Sequence, residues 1–188
     1  MEVKDFAAAR ALILDEIDRT LGAIDQRQID SVVDALCRAE KVFVIGAGRV
    51  FLALQAFAKR LNHLGVPACP VGAVNEPPIT GKDLLVVGSG SGESIVPVAI
   101  ARKARSLGAQ VLYVGSNLSS SAAGQADLIL RIPCRTKLGL ADEIASQQPM
   151  TSLFEQALLL TCDAICLLVA ARKRIDPAAL WRTHANLE

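Results

Sequence analysis

Aromatic side chains are scarce, 4% of 188 residues, so the interior has to be built from Ala, Val, Ile and Leu. Such a core suits parallel strands buried under helices. A basic excess is also missing: 20 Lys and Arg face 19 Asp and Glu, a net charge of +1. Nucleic-acid affinity rests largely on neutralised phosphates, so this balance argues against a nucleic-acid partner. No C-x-x-C pair occurs among the five cysteines, Cys37, Cys69, Cys134, Cys162 and Cys166. Cys162 and Cys166 share a helix face, but no nearby His or third Cys completes a zinc set; the expectation is buried or half-buried thiols in a reducing compartment and no metal. The first residues, Met1 to Asp5, carry charges where a signal peptide needs an apolar run. The longest apolar stretch, Ala157 to Ala171, is broken by Thr161 and Asp163, short of the ~20 uninterrupted apolar residues of a membrane span. A cytoplasmic protein with no membrane partner is expected.

What is present is a chain that is 52% hydrophobic, too apolar for disorder and long enough for one domain. Two amphipathic helices open it, Phe6 to Leu21 and about Asp25 to Ala39. The period then changes. Short apolar runs at 41–45, 66–71, 83–87, 110–115 and 128–132 read as strands. Helices are expected between them at 49–64, 94–107 and, shorter, 119–126. Residues 135–145 read as a loop, 150–172 as a long apolar helix and 176–188 as a polar tail. Five strands alternating with helices predict an α/β fold: a three-layer, doubly wound, five-stranded parallel sheet behind a helical N-terminal segment. The whole chain, 1–188, reads as one domain, with N-terminal helices at 1–39, the sheet and its glycine loops at 40–133, and a long helix and tail at 149–188.

Ligands in such sheets bind beyond the carboxyl ends of the strands. Two strands there end in glycine turns. The first turn, Gly46-Ala47-Gly48-Arg49-Val50-Phe51, has Phe51 where a dinucleotide fingerprint needs a small residue. The next strand, ending Cys69-Pro70-Val71, lacks an acid for a ribose. The second turn, Gly88-Ser89-Gly90-Ser91-Gly92-Glu93-Ser94, lacks the Lys of a P-loop. It has what a phosphomonoester requires: glycines that let backbone N–H groups converge, a helix N-terminus and three hydroxyls. One of Ser91 and Ser94 would suffice as an ordinary N-cap; three serines among three glycines exceed that need.

Ser89-Gly90-Ser91-Gly92-Glu93-Ser94 resembles the hallmark loop of the SIS (sugar isomerase) domain family. Within that family the chain is similar to the 6-phospho-3-hexuloisomerases at Gly46-Ala47-Gly48-Arg49, at Gln148-Pro149-Met150-Thr151-Ser152-Leu153-Phe154-Glu155-Gln156 and at His184-Ala185-Asn186-Leu187-Glu188. The resemblance implies a flavodoxin-like sheet, a small phosphorylated sugar as partner, interconversion of D-arabino-3-hexulose 6-phosphate and D-fructose 6-phosphate, a homotetramer built from dimers, and no metal or organic cofactor. It puts the substrate at Gly46, Gly48, Arg49, Ser89, Ser91, Gly92, Glu93 and Ser94.

Moving a carbonyl from C3 to C2 requires a base that takes the proton beside the carbonyl and returns it to the neighbouring carbon of an enediol. Glu155, matching the glutamate of the family's Leu-Phe-Glu segment, is the candidate. Glutamates near helix starts also serve simply to complement the dipole. The only histidines are His63, late in the helix after the first turn, and His184 in the tail. In SIS isomerases a histidine from a neighbouring subunit often assists ring opening or moves protons between oxygens, and either could do so. Arg49 could meet the phosphate or a sugar hydroxyl.

The chain departs from the hexuloisomerase pattern at Val50-Phe51, where Ser-Gly is usual, and at Val74-Asn75-Glu76-Pro77-Pro78, where paired threonines precede a proline. It departs again at Thr151, usually Gly, and at Thr183, usually Arg. These changes spare the serine loop, so phosphate capture is expected with the sugar less fixed. An isomerase of another sugar phosphate and a non-catalytic phosphosugar sensor are the competing readings.

Overall fold

A computed structural model of the chain describes residues 3–176 together with Ala178, Leu180 and Trp181. Two helices come first, α1 (Phe6–Gly22) and α2 (Gln26–Arg38). Asp5 and Asp25 cap them, their side chains accepting hydrogen bonds from Ala8 N and Arg27 N. Strand β1 (Val42–Ile45) follows, then α3 (Gly48–His63), β2 (Ala68–Pro70), β3 (Leu84–Gly88), α4 (Ile95–Ser106), β4 (Gln110–Gly115), β5 (Leu128–Arg131) and α5 (Ser152–Arg172). All strand pairs are parallel, in the order β2-β1-β3-β4-β5.

That order sets the position of the ligand crevice. The connection from β1 runs through α3 to one edge, while that from β3 runs through α4 toward the other. The alternating side chains of the sheet divide accordingly. Val42, Val44, Leu84, Val86, Leu112 and Val114 pack under α2, α3 and α5; Phe43, Ile45, Leu85, Val87 and Val111 pack under α4. The loops leaving β1 and β3 therefore part on opposite faces and open a crevice at the carboxyl ends of the strands.

The five expected strands are all present, with β2 trimmed to three residues. The expected helix at 119–126 is a single 3-10 turn at Ala123–Gln125, too rich in Ser and Gly to propagate. The last helix starts at Ser152 rather than Met150, because Met150 takes a left-handed backbone, φ 55°. Helix α5 has the length and apolar character of a membrane span. One side of it, from Leu153 to Val169, is packed in the core against α3 and α1. Cys134, Cys162 and Cys166 are buried and Cys37 and Cys69 half-buried, all five as thiols. Burial pushes the Cys134 and Cys166 thiols up to about 12, which leaves them protonated and unreactive at neutral pH.

Candidate active site

The N-termini of α3, α4 and α5 meet at one cavity of about 170 Å³. Ala47 and Val50 line it from the start of α3, Ser94 from the start of α4, and Thr151 and Phe154 from the start of α5. The floor is the serine loop, Gly88 to Ser91, and Thr136 and Lys137 close the far side. None of these three helices carries a side-chain cap, whereas α1 and α2 do. Ser94 occupies the N-cap position of α4, but its hydroxyl lies 3.1 Å from that of Ser89 instead of bonding the helix. The capping role that one serine would satisfy is thus left unused. Backbone donors and the positive ends of three macrodipoles face one space, the arrangement that binds an anion.

The serine loop is held rigid from behind. Ser89 Oγ accepts a hydrogen bond from Gly92 N at 3.1 Å. Ser116 N donates to Gly90 O and Ala122 N to Gly92 O, both at 3.0 Å, and Asn117 Nδ2 donates to Ser91 O at 3.2 Å. The buried Tyr113 hydroxyl donates to Ser89 O at 2.9 Å. Burial pushes this phenol up to about 12, so it stays a neutral donor at physiological pH. Tyr113→Phe removes that donor and leaves Ser89 O with the bond from Gly92 N at 3.2 Å, so it is expected to destabilise the protein by about 0.5–1.5 kcal/mol. The midpoint of urea unfolding should fall with its slope unchanged.

Glu155 lies in the first turn of α5, its side chain 13% exposed. Its Oε1 accepts from the Thr151 hydroxyl at 3.0 Å and its Oε2 from Arg49 Nε. Thr151 lines the cavity itself, while Arg49 and Glu155 share an adjoining groove between α3 and α5. The first glycine turn and the Leu-Phe-Glu helix, more than 100 residues apart in sequence, are therefore joined by an ion pair beside the cavity.

Not every predicted residue comes to this place. Gly48 supplies the left-handed turn that starts α3, φ 56°, and Gly46 leaves room for the Phe51 backbone. Glu93 turns away from the cavity: its carboxylate accepts from Ser121 N at 2.8 Å. Hydrogen bonding from Ser121, with a smaller contribution from Lys137, holds its carboxyl below the usual carboxylate range. His63 sits in the last turn of α3, 9% exposed, with Nδ1 3.4 Å from Arg60 Nη1. By helix rise it is roughly 21 Å along α3 from Arg49, so it does not reach the cavity of its own chain. His184 lies outside the described residues. Of the departures from the hexuloisomerase pattern, Val50 and Thr151 line the cavity, whereas Phe51 packs against both core clusters. Glu76 caps its own loop, accepting from Gly72 N at 2.6 Å.

Sequence reasoning missed Thr136 and Lys137. They fall in a stretch read only as loop, and a lone Thr-Lys pair carries no motif. Thr136 is fixed by Glu143, which accepts from its hydroxyl at 2.7 Å and its backbone N–H at 3.1 Å. Among the described residues no group of three His, Cys, Asp or Glu side chains converges to hold a metal ion.

Comparison with known proteins places this geometry. Residues 35–160 match the SIS domain family. A 3-hexulose-6-phosphate isomerase of Bacillus subtilis (strain 168) is 39% identical over 178 residues, covering 95% of this chain and 96% of the relative. One of Mycobacterium gastri is 35% identical, covering 95% and 89%. The crystal structure of a hypothetical protein of Methanococcus jannaschii, from which a 3-hexulose-6-phosphate isomerase function was inferred, superposes with a TM-score of 0.82. Its sequence is 25% identical, and the match covers 96% of this chain and 99% of that one.

Proposed function

Because this chain belongs to the SIS domain family, we propose that it is a phosphosugar isomerase interconverting D-arabino-3-hexulose 6-phosphate and D-fructose 6-phosphate, with Glu155 as the proton shuttle. The observation that carries the proposal is the convergence of three uncapped helix N-termini on the serine loop. Such a pocket is built for a phosphomonoester dianion. The two similar isomerases align over nearly the whole chain, which supports the reaction.

The phosphate seats on the backbone and hydroxyls of Ser89, Ser91 and Ser94, with Lys137 at the rim. The sugar then extends across Thr151 toward Glu155 and Arg49. Glu155 takes the C2 proton of the 3-ketose; the electrons of that C–H bond form the C2–C3 double bond of an enediolate as the C3 carbonyl oxygen gains charge. Returning the proton to C3 makes the C2 carbonyl. Arg49, beside the carboxylate, is placed to stabilise the charge on oxygen. Proton movement between the two oxygens falls to a histidine of another subunit, His63, or to His184 of the tail. We propose that the protein works as a homotetramer in the cytoplasm; Leu52, Leu159 and Leu167, exposed on α3 and α5, support self-association. Val50, an apolar wall where the hexuloisomerase pattern has a hydroxyl, favours a second reading in which the same chemistry acts on a different sugar phosphate.

The test is NMR of the purified protein with 3-hexulose 6-phosphate. Appearance of fructose 6-phosphate supports the named reaction. Binding of other sugar phosphates without that conversion moves the substrate to the second reading, and no binding of any sugar phosphate overturns both. Lys137→Met is expected to raise KM by about 5- to 30-fold, the loss of one charge-assisted contact of about 1–2 kcal/mol, with kcat nearly unchanged.

A further inference from the structure

Glu16 is a carboxylate in the middle of α1, 1% exposed, on a helix no motif singles out. It faces the backbone that leads into α5. Its Oε2 accepts from Ser146 Oγ at 2.6 Å and Gln148 Nε2 at 3.0 Å, and its Oε1 from Gln147 N at 2.7 Å. Ser146 Oγ in turn accepts from Gln148 N at 3.0 Å. Two residues further on, the chain passes Pro149 and bends through Met150, a non-glycine residue at φ 55° with an exposed side chain. A left-handed backbone there opposes the intrinsic preference by about 1–2 kcal/mol and persists where the surroundings over-determine it. Thr151 and Glu155 follow directly.

We propose that Glu16 is a positioning residue for the isomerase: by clamping 146–148 it fixes the bend at Met150 and so the register of Thr151 and Glu155 against the cavity. The proposal rests on the isomerase reading above. Burial works against ionisation of Glu16, but the hydrogen bonds from Ser146, Gln147 and Gln148 outweigh it and hold its carboxyl below the ordinary value, so the clamp is a carboxylate at neutral pH. A carboxylate is the group required, because two oxygens must accept from three donors. A glutamine turns a donor toward at least one of them. The serine loop is braced separately, by the backbone at 114–122.

The experiment compares wild type, Glu16→Gln and Gln148→Met for kcat and KM, thermal melting, and amide exchange by mass spectrometry. Glu16→Gln is expected to lower kcat about ten- to a hundredfold through a displaced base, with KM changed no more than about threefold. Amide exchange should speed up over 146–155 and stay unchanged over 88–94. Adding Gln148→Glu to Glu16→Gln restores a donor–acceptor pair and should recover part of kcat. A variant that melts lower yet keeps wild-type kcat makes Glu16 a stability residue only and overturns the proposal; if Glu16→Gln does not fold, Gln148→Met carries the same test from the loop side. Wild type without turnover would instead overturn the isomerase reading. The exchange pattern then decides the clamp, and unchanged exchange over 146–155 overturns it.

Discussion

Glu155→Gln is expected to lower kcat by about 10²- to 10⁴-fold while sugar-phosphate affinity stays within a few-fold, the range attributed to a single acid–base group. The two parameters separate because they draw on different parts of the site. On the proposed reading, phosphate affinity comes from the serine loop and three helix N-termini, none of which depends on the Glu155 carboxylate. The amide keeps the shape of the carboxylate and can still accept from Thr151 Oγ1, now at 3.0 Å. Arg49 loses its ionic partner, but with 66% of its side chain exposed it is solvated rather than stranded, so folding should be little affected. Isomerisation in deuterated water adds a second readout: an enediolate that exchanges its proton with solvent labels the product carbon, and the variant should lose labelling in step with turnover. Binding of fructose 6-phosphate by calorimetry checks the retained affinity. Unchanged turnover would remove Glu155 from the base role and turn attention to Arg49 and the tail histidine.

The fold was legible because its strands are short, apolar and each closed by a turn residue. Lys41 to Gly46 and Asp83 to Gly88 read as buried parallel strands entering turns, and β1 and β3 stand there. The serine loop was legible for a related reason: no packing need explains three serines among three glycines. The rest of the site depended on long-range geometry that local spacing does not encode. Arg49 and Glu155 meet because α3 and α5 start at the same end of the sheet and pack along each other. Thr136 and Lys137 arrive on a connection with no periodicity at all. Glu93 lies inside the loop motif, yet it serves the turn at 119–121, a choice decided by which donor the folded chain offers it. Glu16 was hidden most completely. On an amphipathic helix a glutamate reads as solvent-facing, and only the approach of 146–148 to α1 makes it a buried acceptor.

Gly92→Ala is expected to abolish high-affinity phosphosugar binding, raising KM by at least about a hundredfold, and to lower stability as well. Gly92 has φ 69°, and a Cβ there would lie 2.0 Å from Ser120 Oγ, 2.3 Å from Ser120 Cβ and 2.7 Å from Tyr113 Oη. The left-handed backbone accounts for about 1–2 kcal/mol and the overpacking for about 1–3 kcal/mol more. Relief requires the loop to move away from the 116–122 segment. That breaks the bonds from Ala122 N to Gly92 O and from Gly92 N to Ser89 Oγ, which fix the shape of the serine loop proposed to hold the phosphate. Geometry and affinity therefore fail together, unlike in Glu155→Gln. A second substitution apportions the two causes: Ser120→Gly in the Gly92→Ala background removes the two shortest contacts and leaves the backbone term and Tyr113. Partial recovery of KM is the expected outcome, measured with inhibition by inorganic phosphate as an independent readout of the loop. Wild-type KM in Gly92→Ala would mean that the sugar phosphate does not bind at the serine loop, and the site would have to be sought elsewhere on the molecule.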